Sequence, residues 1–262
     1  MAHELNIKEL RKGLFLLDEG GEATGYLLVG EKKACMIDTM NGYNDLAKVT
    51  ASLTDKPVVV VNTHGHPDHI YGNAYFDNAH MHPADFELAN MFLSAPEVLA
   101  VLKQLNLSMP SFEPIVGGDI IDLGGKTLQV YELPGHTPGG IVLLCPEERV
   151  LFTGDGINHH LWMQLDGCLP MNEAKKNLEK LRFLEKEADY ILHGHARDFD
   201  DISLIGYMMD GMQEIIDGKD EKDTPYTYFG GEMHATYHPF YVDPEKQFSQ
   251  KDSGIVYRRK DS

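Results

Sequence analysis

Cysteine is scarce in this sequence: Cys35, Cys145 and Cys168 are an odd number with no CxxC spacing. That argues against a disulfide framework or a cysteine-ligated zinc, and the apolar runs around Cys35 and Cys145 mark them as buried reduced thiols. Basic residues are also few, 23 against 41 acidic, for a formal net charge of −18. A polyanion is repelled by such a field, and no Lys/Arg cluster exceeds Arg258, Arg259 and Lys260. Nucleic acid is therefore not expected as substrate or partner. No apolar run approaches the roughly 18 residues of a membrane-spanning helix, so no membrane association is expected. Behind the charges of the N-terminal MAHELNIKELRKG there is no apolar core of a signal peptide, and a cytoplasmic location is expected. Internal repeats, a G-x-S-x-G elbow and a cysteine in a reactive setting are lacking too, so no protein nucleophile stands out.

What is present is a globular composition, 42% hydrophobic and 9% aromatic over 262 residues, enough for one large domain or two small ones. The most informative stretch is VVVVNTHGHPDHIYGN, Val58 to Asn73. Val58 to Val61 read as a short strand buried on both faces, followed at once by His64, His66, Asp68 and His69. In an extended loop residues 64, 66 and 68 point to one side. A helical turn starting at Pro67 brings His69 to the same space from another direction. One cluster can thus serve two neighbouring cations, His64 and His66 on one, Asp68 and His69 on the other. Imidazole and carboxylate suit zinc, iron or manganese better than calcium.

Before this stretch the pattern predicts strands over 13–17, 24–29 and 34–38, with Asp38 at a strand end, and an amphipathic helix over 44–54. Strand, helix, strand argues for α/β layering. After it come a short strand at 79–82 and a helix-forming segment, 84–112, broken at Ala95-Pro96. Its Phe86, Leu88, Met91, Phe92, Leu93, Leu99, Leu102, Leu105 and Met109 read mostly as core, the alternative being a helical cap that shapes an apolar pocket. Strands follow at 114–116, 119–123, 126–133, 141–145 and 149–152. Two of their joints carry single ligand-type residues, His136 in LPGHTPGG and Asp155 in FTGDG; alone, each reads as a turn residue. Helices are expected at 172–184 and 200–217, the second with Ile202, Ile205, Met209, Met212 and Ile216 as a packing stripe, and a strand at 189–192 leads into His193-Gly194-His195. Beyond Gly218 the run 219–223 reads as solvated charge, followed by an aromatic stretch, Tyr226 to Tyr241, and a last strand at 254–258.

The order H-x-H-x-D-H, then PGHT, GD and GH, resembles the metallo-β-lactamase superfamily over residues 13–217. The resemblance implies an αββα sandwich, with a catalytic domain over 1–218, the 84–112 segment as a helical insertion within it, and 219–262 as a C-terminal extension packed on the same domain or on a partner subunit. It implies that His64, His66 and His136 hold one metal, that Asp68, His69 and His195 hold the other, and that Asp155 bridges them. Asp38 would support the metal loop. His193 stands where that family often has proline, which leaves two histidines for one ligand position; His195 is the one expected.

Two cations about 3.5–4 Å apart, zinc by expectation with iron or manganese as alternatives, would share a hydroxide as nucleophile and polarise the group under attack. The leaving group then needs a proton, from Asp68, His159, His160, His193 or a tyrosine of the tail. True β-lactamases of the superfamily lack the bridging aspartate, flavodiiron members would need more than the 44 residues after Gly218, and ribonuclease-type members have basic surfaces. The remaining expectation resembles glyoxalase II and the lactonases: a dinuclear hydrolase of a small carboxylic ester, thioester or lactone. Alternatives are a mono-iron oxidoreductase resembling the persulfide dioxygenases, a small-molecule phosphodiesterase and a non-catalytic metal-containing binding protein. Docking of Tyr226 to Tyr241 on a second subunit would make a homodimer.

Overall fold

The structure is a computed structural model that describes residues 4–228, 231, 233–246 and 252–259. Lys260 of the basic cluster, and Phe229, Gly230 and Glu232 of the aromatic stretch, lie outside the described residues. The first sheet keeps sequence order: β1 (Asn6–Arg11), β2 (Leu14–Asp18), β3 (Thr24–Val29), β4 (Ala34–Ile37), β5 (Val58–Val61), β6 (Ala79–Met81) and β7 (Phe112–Pro114). Then come β8 (Ile120–Asp122), β9 (Thr127–Glu132), β10 (Ile141–Cys145), β11 (Val150–Gly154), β12 (His160–Trp162), β13 (Tyr190–His193) and β14 (Asp200–Asp201). All of these except β12 form the second sheet, in the order β14-β13-β11-β10-β9-β8. A third sheet joins β12 to the C-terminal strands β15 (Thr224–Tyr228), β16 (Met233–Pro239) and β17 (Gly254–Tyr257), in the order β12-β17-β16-β15.

The period of two along each strand explains the layering. In β10 every residue is buried, yet Ile141, Leu143 and Cys145 pack between the two large sheets while Val142 and Leu144 face outward into a second core. In β4, likewise, Cys35 and Ile37 point inward and Ala34 and Met36 outward. The outward face of the first sheet is covered by α1 (Leu46–Leu53), through Leu46. The outward face of the second is covered by α5 (Met171–Lys180), α6 (Leu184–Glu187) and α7 (Leu204–Ile216). Two sheets clad by helices on both sides make the αββα sandwich. Phe240, Val242 and Ile255 of the C-terminal segment join the core under α5 and α7, so within this chain that segment packs on the sandwich.

Several expectations shift. The α7 helix starts at Leu204, because Asp200–Asp201 pair with β13 instead. The strand expected at 114–116 is Phe112–Pro114, paired to β6. Of the 84–112 segment, which forms α3 (Phe86–Leu93) and α4 (Pro96–Leu105), Ala89 and Leu93 are buried, and α4 buries no residue. Leu99 and Leu105 stand half exposed, so the reading of these side chains as mostly core fails for α4. The helix preceding them, α2 (Pro67–Ile70), packs Ile70 against Ala89 and Leu93. Nor is 219–223 wholly solvated: the Asp223 side chain is buried and accepts bonds from Tyr257, Arg259 and His238.

The energetic contrast is testable by urea denaturation. Leu143→Ala, at the centre of the sandwich, is expected to cost about 2–5 kcal/mol. Leu99→Ala, on the exposed helix, is expected to stay within about 0.5 kcal/mol.

Candidate metal centre

Parallel pairing decides where the polar residues gather. Strands β4 and β5 run parallel, as do β11 and β13, so each pair ends at one edge of its sheet. The two edges meet: Ile141 N–H donates to Thr63 O at 2.9 Å, and Thr24 N–H to Gly194 O at 2.8 Å. Past these strand ends lie Asp38, His64 to His69, Asp155 and Gly194 to His195, with His193 the last residue of β13, while the turn between β9 and β10 adds His136.

The loop after β5 follows the expected course. His66 is extended, Pro67 opens α2, and His69 turns back from inside that helix. As a result, one ligand atom each from His64, His66 and His136 lie within 4.8 Å of one another, and a second group, Asp68, His69, Asp155 and His195, meets the same limit. The groups adjoin: the rings of His64 and His69 are 4.0 Å apart between centroids. Asp155 stands between them, with Oδ2 3.2 Å from His195 Nε2 and 3.8 Å from His136 Nε2, and Oδ1 3.6 Å from His69 Nε2. Packing is tight enough that a Cβ on Gly194 would lie 2.5 Å from both Asp155 and His69. No residue larger than glycine fits there.

Hydrogen bonds behind the rings set their tautomers. Asp38, in the left-handed region at φ 56°, accepts Thr63 N–H on Oδ1 and both Thr63 Oγ1–H and His69 Nδ1–H on Oδ2, at 2.7, 2.7 and 2.9 Å. With its own proton given to Asp38, Thr63 Oγ1 accepts from His64 Nδ1 at 3.1 Å. His136 Nδ1 donates to Trp162 O at 2.6 Å. In all three rings Nε2 is left with the lone pair, as a ligand requires. His64 Nε2, His69 Nε2 and Asp155 Oδ1 are buried without a hydrogen-bond partner among the described residues. Buried orphan donors and acceptors are rare, and orphans of this donor type facing one another fit divalent cations.

The two groups differ in charge. Burial, then the neighbouring imidazoles, hold His64 and His66 well below the usual histidine range. For His69 burial pulls the same way, but the carboxylates of Asp68, Asp38 and Asp155 outweigh it and raise the ring well above that range. His195 is raised as well: burial opposes, and Asp155 outweighs it. Burial pushes Asp155 up, and His195 and His69 overcome it to hold the carboxyl well below the usual range.

Sequence reasoning missed Asp85. It is fully buried, and its carboxylate accepts Gly65 N–H, Thr137 Oγ1–H and Gly139 N–H at 2.9, 2.7 and 2.6 Å, so it ties the loop of His64 and His66 to the loop of His136. The available signal was an aspartate behind a proline in His82-Pro83-Ala84-Asp85. The proton-donor candidates divide: His159 and His193 are buried against Asp200, while His160 and Tyr226 face the cavity above the ligand groups. That cavity holds about 820 Å³. Leu88, Met91 and Phe92 of α3 form one wall, and Trp162, Tyr226 and Tyr228 form another. Of the 84–112 segment, α3 lines this cavity and α4 does not.

No helix of the described residues is long and apolar enough to cross a membrane. The chain is 30% identical over 180 residues to the acyl-coenzyme A thioesterase MBLAC2 of Homo sapiens, which covers 56% of this chain and 64% of that protein. It is 28% identical over 138 residues to the hydroxyacylglutathione hydrolase of Hyphomonas neptunium, covering 51% of this chain and 47% of that one. The chain therefore spans less than two thirds of the length of these curated relatives. Among solved structures, a metallo-beta-lactamase family protein of Thermus thermophilus superposes with a TM-score of 0.63 at 23% identity, over 84% of this chain and 86% of that one, a likeness of fold. The model of the metallo-beta-lactamase superfamily matches residues 19–195, more than half of the chain, and the chain belongs to that superfamily.

Proposed function

We propose that this protein is a dinuclear metal-dependent hydrolase of carboxylic esters, thioesters or lactones with an apolar acyl group. The observation that carries the proposal is the pair of adjoining ligand groups, with their orphaned buried atoms, at the floor of an apolar-walled cavity. His64, His66 and His136 would hold one cation, and Asp68, His69 and His195 the other, with Asp155 reaching both; zinc suits this set, as do iron and manganese. When bound, two such cations supply Lewis acidity at the carbonyl under attack and lower the pKa of water towards neutrality. The names of the relatives, an acyl-coenzyme A thioesterase and a hydroxyacylglutathione hydrolase, agree with this reading.

The chain's own residues supply the rest. Leu88, Met91 and Phe92 exclude water from one side of the acyl group, and Trp162 and Tyr226 from the other. Asp68, the most exposed carboxylate of the set with its side chain 31% accessible, opens onto the cavity. It takes the proton of the attacking water and passes it to the leaving sulfur or oxygen. Arg258, the basic residue in the lining, pairs with the exposed Asp166 at 2.9 Å.

Elemental analysis of protein purified without chelators should find two equivalents of transition metal per chain and turnover on a thioester and lactone panel. A single equivalent of iron, with no hydrolysis, would instead support an oxidoreductase.

Acidification should separate the two cations. Protons compete for His69 and His195, whose pKa values are raised, at a higher pH than for His64 and His66, whose values are lowered. Dialysis from about pH 8 to about pH 5 should therefore release the cation of the second group first. Loss of both in one step would contradict the assignment.

Asp85→Asn turns one acceptor into a donor facing a backbone N–H, that of Gly65 or of Gly139. Affinity for the first cation is expected to fall about 10–100-fold, with the second retained, in a metal titration.

A further inference from the structure

Outside the two ligand groups, one further set of three histidine and carboxylate ligand atoms lies within 4.8 Å of one another among the described residues, from His159, His193 and Asp200, all fully buried. His193 ends β13, Asp200 opens β14, and His159 immediately precedes β12. His193 Nε2 is 3.2 Å from Asp200 Oδ2. His159 Nε2 lies 3.1 Å from Asp200 Oδ1, close enough for charge attraction but outside hydrogen-bond geometry among the described residues. The opposite nitrogens are engaged too. His195 N–H donates to His193 Nδ1 at 3.2 Å, and His159 Nδ1 pairs with Ser253 Oγ at 2.7 Å.

Three such ligand atoms in a buried space invite a third cation, and the tautomer of His193 argues against one. A backbone N–H only donates, so Nδ1 accepts and the ring proton lies on Nε2. A neutral imidazole protonated there has no lone pair to give a metal and donates to Asp200 instead. The proton on His193 thereby closes that position to a metal, and a line of contacts runs from Ser253 through His159, Asp200 and His193 to the backbone of His195.

Its far end is the C-terminal segment. Gly254 N–H donates to His159 O at 2.8 Å, Phe240 N–H to Ser253 O at 3.0 Å, and β17 runs parallel to β12 from His160↔Gly254 onward. That same sheet supplies Trp162, Tyr226, Tyr228 and Met233 to the cavity wall.

We infer that Asp200 and His193 are positioning residues for His195, and that Ser253 and His159 make this positioning depend on the docked strand β17, so that second-cation loading and assembly of the cavity wall are coupled. The inference rests on the assignment of His195 to the second cation. Coupling of this kind is reciprocal: whatever fixes β17 favours the cation, and the cation in turn protects β17.

The test is a cobalt(II) titration of the metal-free, full-length chain followed by its visible spectrum, with hydrogen exchange read at residues 252–257. The wild type should bind cobalt in two steps, the second slowing exchange in that segment. Asp200→Asn should keep the first step, weaken the second about tenfold and abolish the added protection. Ser253→Ala should act in the same direction by a smaller factor and covers the case in which Asp200→Asn fails to fold; Ser253→Thr, which keeps the hydroxyl, should restore the second step. Variants that lose thermal stability while both steps keep their wild-type ratio would overturn the inference, as would a third equivalent of cobalt that disappears in His159→Ala. Absence of any cobalt step in the wild type would overturn the metal assignment itself, and this inference with it.

Discussion

One carboxylate, that of Asp38, organises both ligand groups. It is buried, it sits at the end of β4 in the left-handed region, and each oxygen is taken up by a donor from the loop after β5. A buried charge is tolerated only when it is fully hydrogen-bonded, and charge-assisted bonds contribute about 1.5–3 kcal/mol each. Three of them make the arrangement rigid. Because two end on Thr63 and one on His69, the same anion fixes His69 directly and His64 through the threonine hydroxyl. The ring nitrogens that turn towards the ligand groups are therefore selected by a residue that belongs to neither group.

The sandwich gives that carboxylate its leverage. Strands buried on both faces cannot slip by one residue without exchanging the inner core for the outer, so register is strongly specified. Asp38 N–H donates to Val61 O at 2.9 Å, which holds the ends of β4 and β5 level. Across the gap, Gly194 N–H donates to Gly154 O at 2.9 Å and levels the ends of β11 and β13. Gly154 takes φ +48° with Thr63 pressed against it, so Asp155 leaves its strand directly opposite the loop that Asp38 holds. Packing in the two cores thus sets the distances between side chains that are 40 to 130 residues apart in sequence.

Much of this was legible because ligand chemistry is local. Four of the side chains lie within six residues behind a run of valines, and His136, Asp155 and His195 each sit in a short glycine-bearing turn that the resemblance picks out. The two-face strands and the helices at α1 and α5 were legible for a similar reason, since periodicity records burial: Ala174, Leu178 and Leu181 are buried as their spacing predicts. What stayed hidden depends on contacts distant in sequence. Asp85 looks like any turn aspartate until Gly65, Thr137 and Gly139 are placed around it. His193 and His195 are alike in sequence, and only Asp200 on one side and Asp155 on the other tell them apart. Apolar periodicity in α4 misled, because Leu99 and Leu105 form a face with no partner layer.

The cavity wall follows a different logic from the ligand groups. The floor of the cavity comes from strand ends that the superfamily match includes, whereas Tyr226, Tyr228 and Met233 lie beyond residue 195, where that match ends. Trp162 lies within the match but belongs to β12, whose partner in the third sheet is β17. Its carbonyl also accepts from His136 Nδ1, so the strand that carries the aromatic wall holds a ring of the first ligand group in place. A change that moves β12 to enlarge the cavity would therefore turn His136 as well. A change confined to Tyr226 or Met233 would reshape the wall and leave the ligand rings alone.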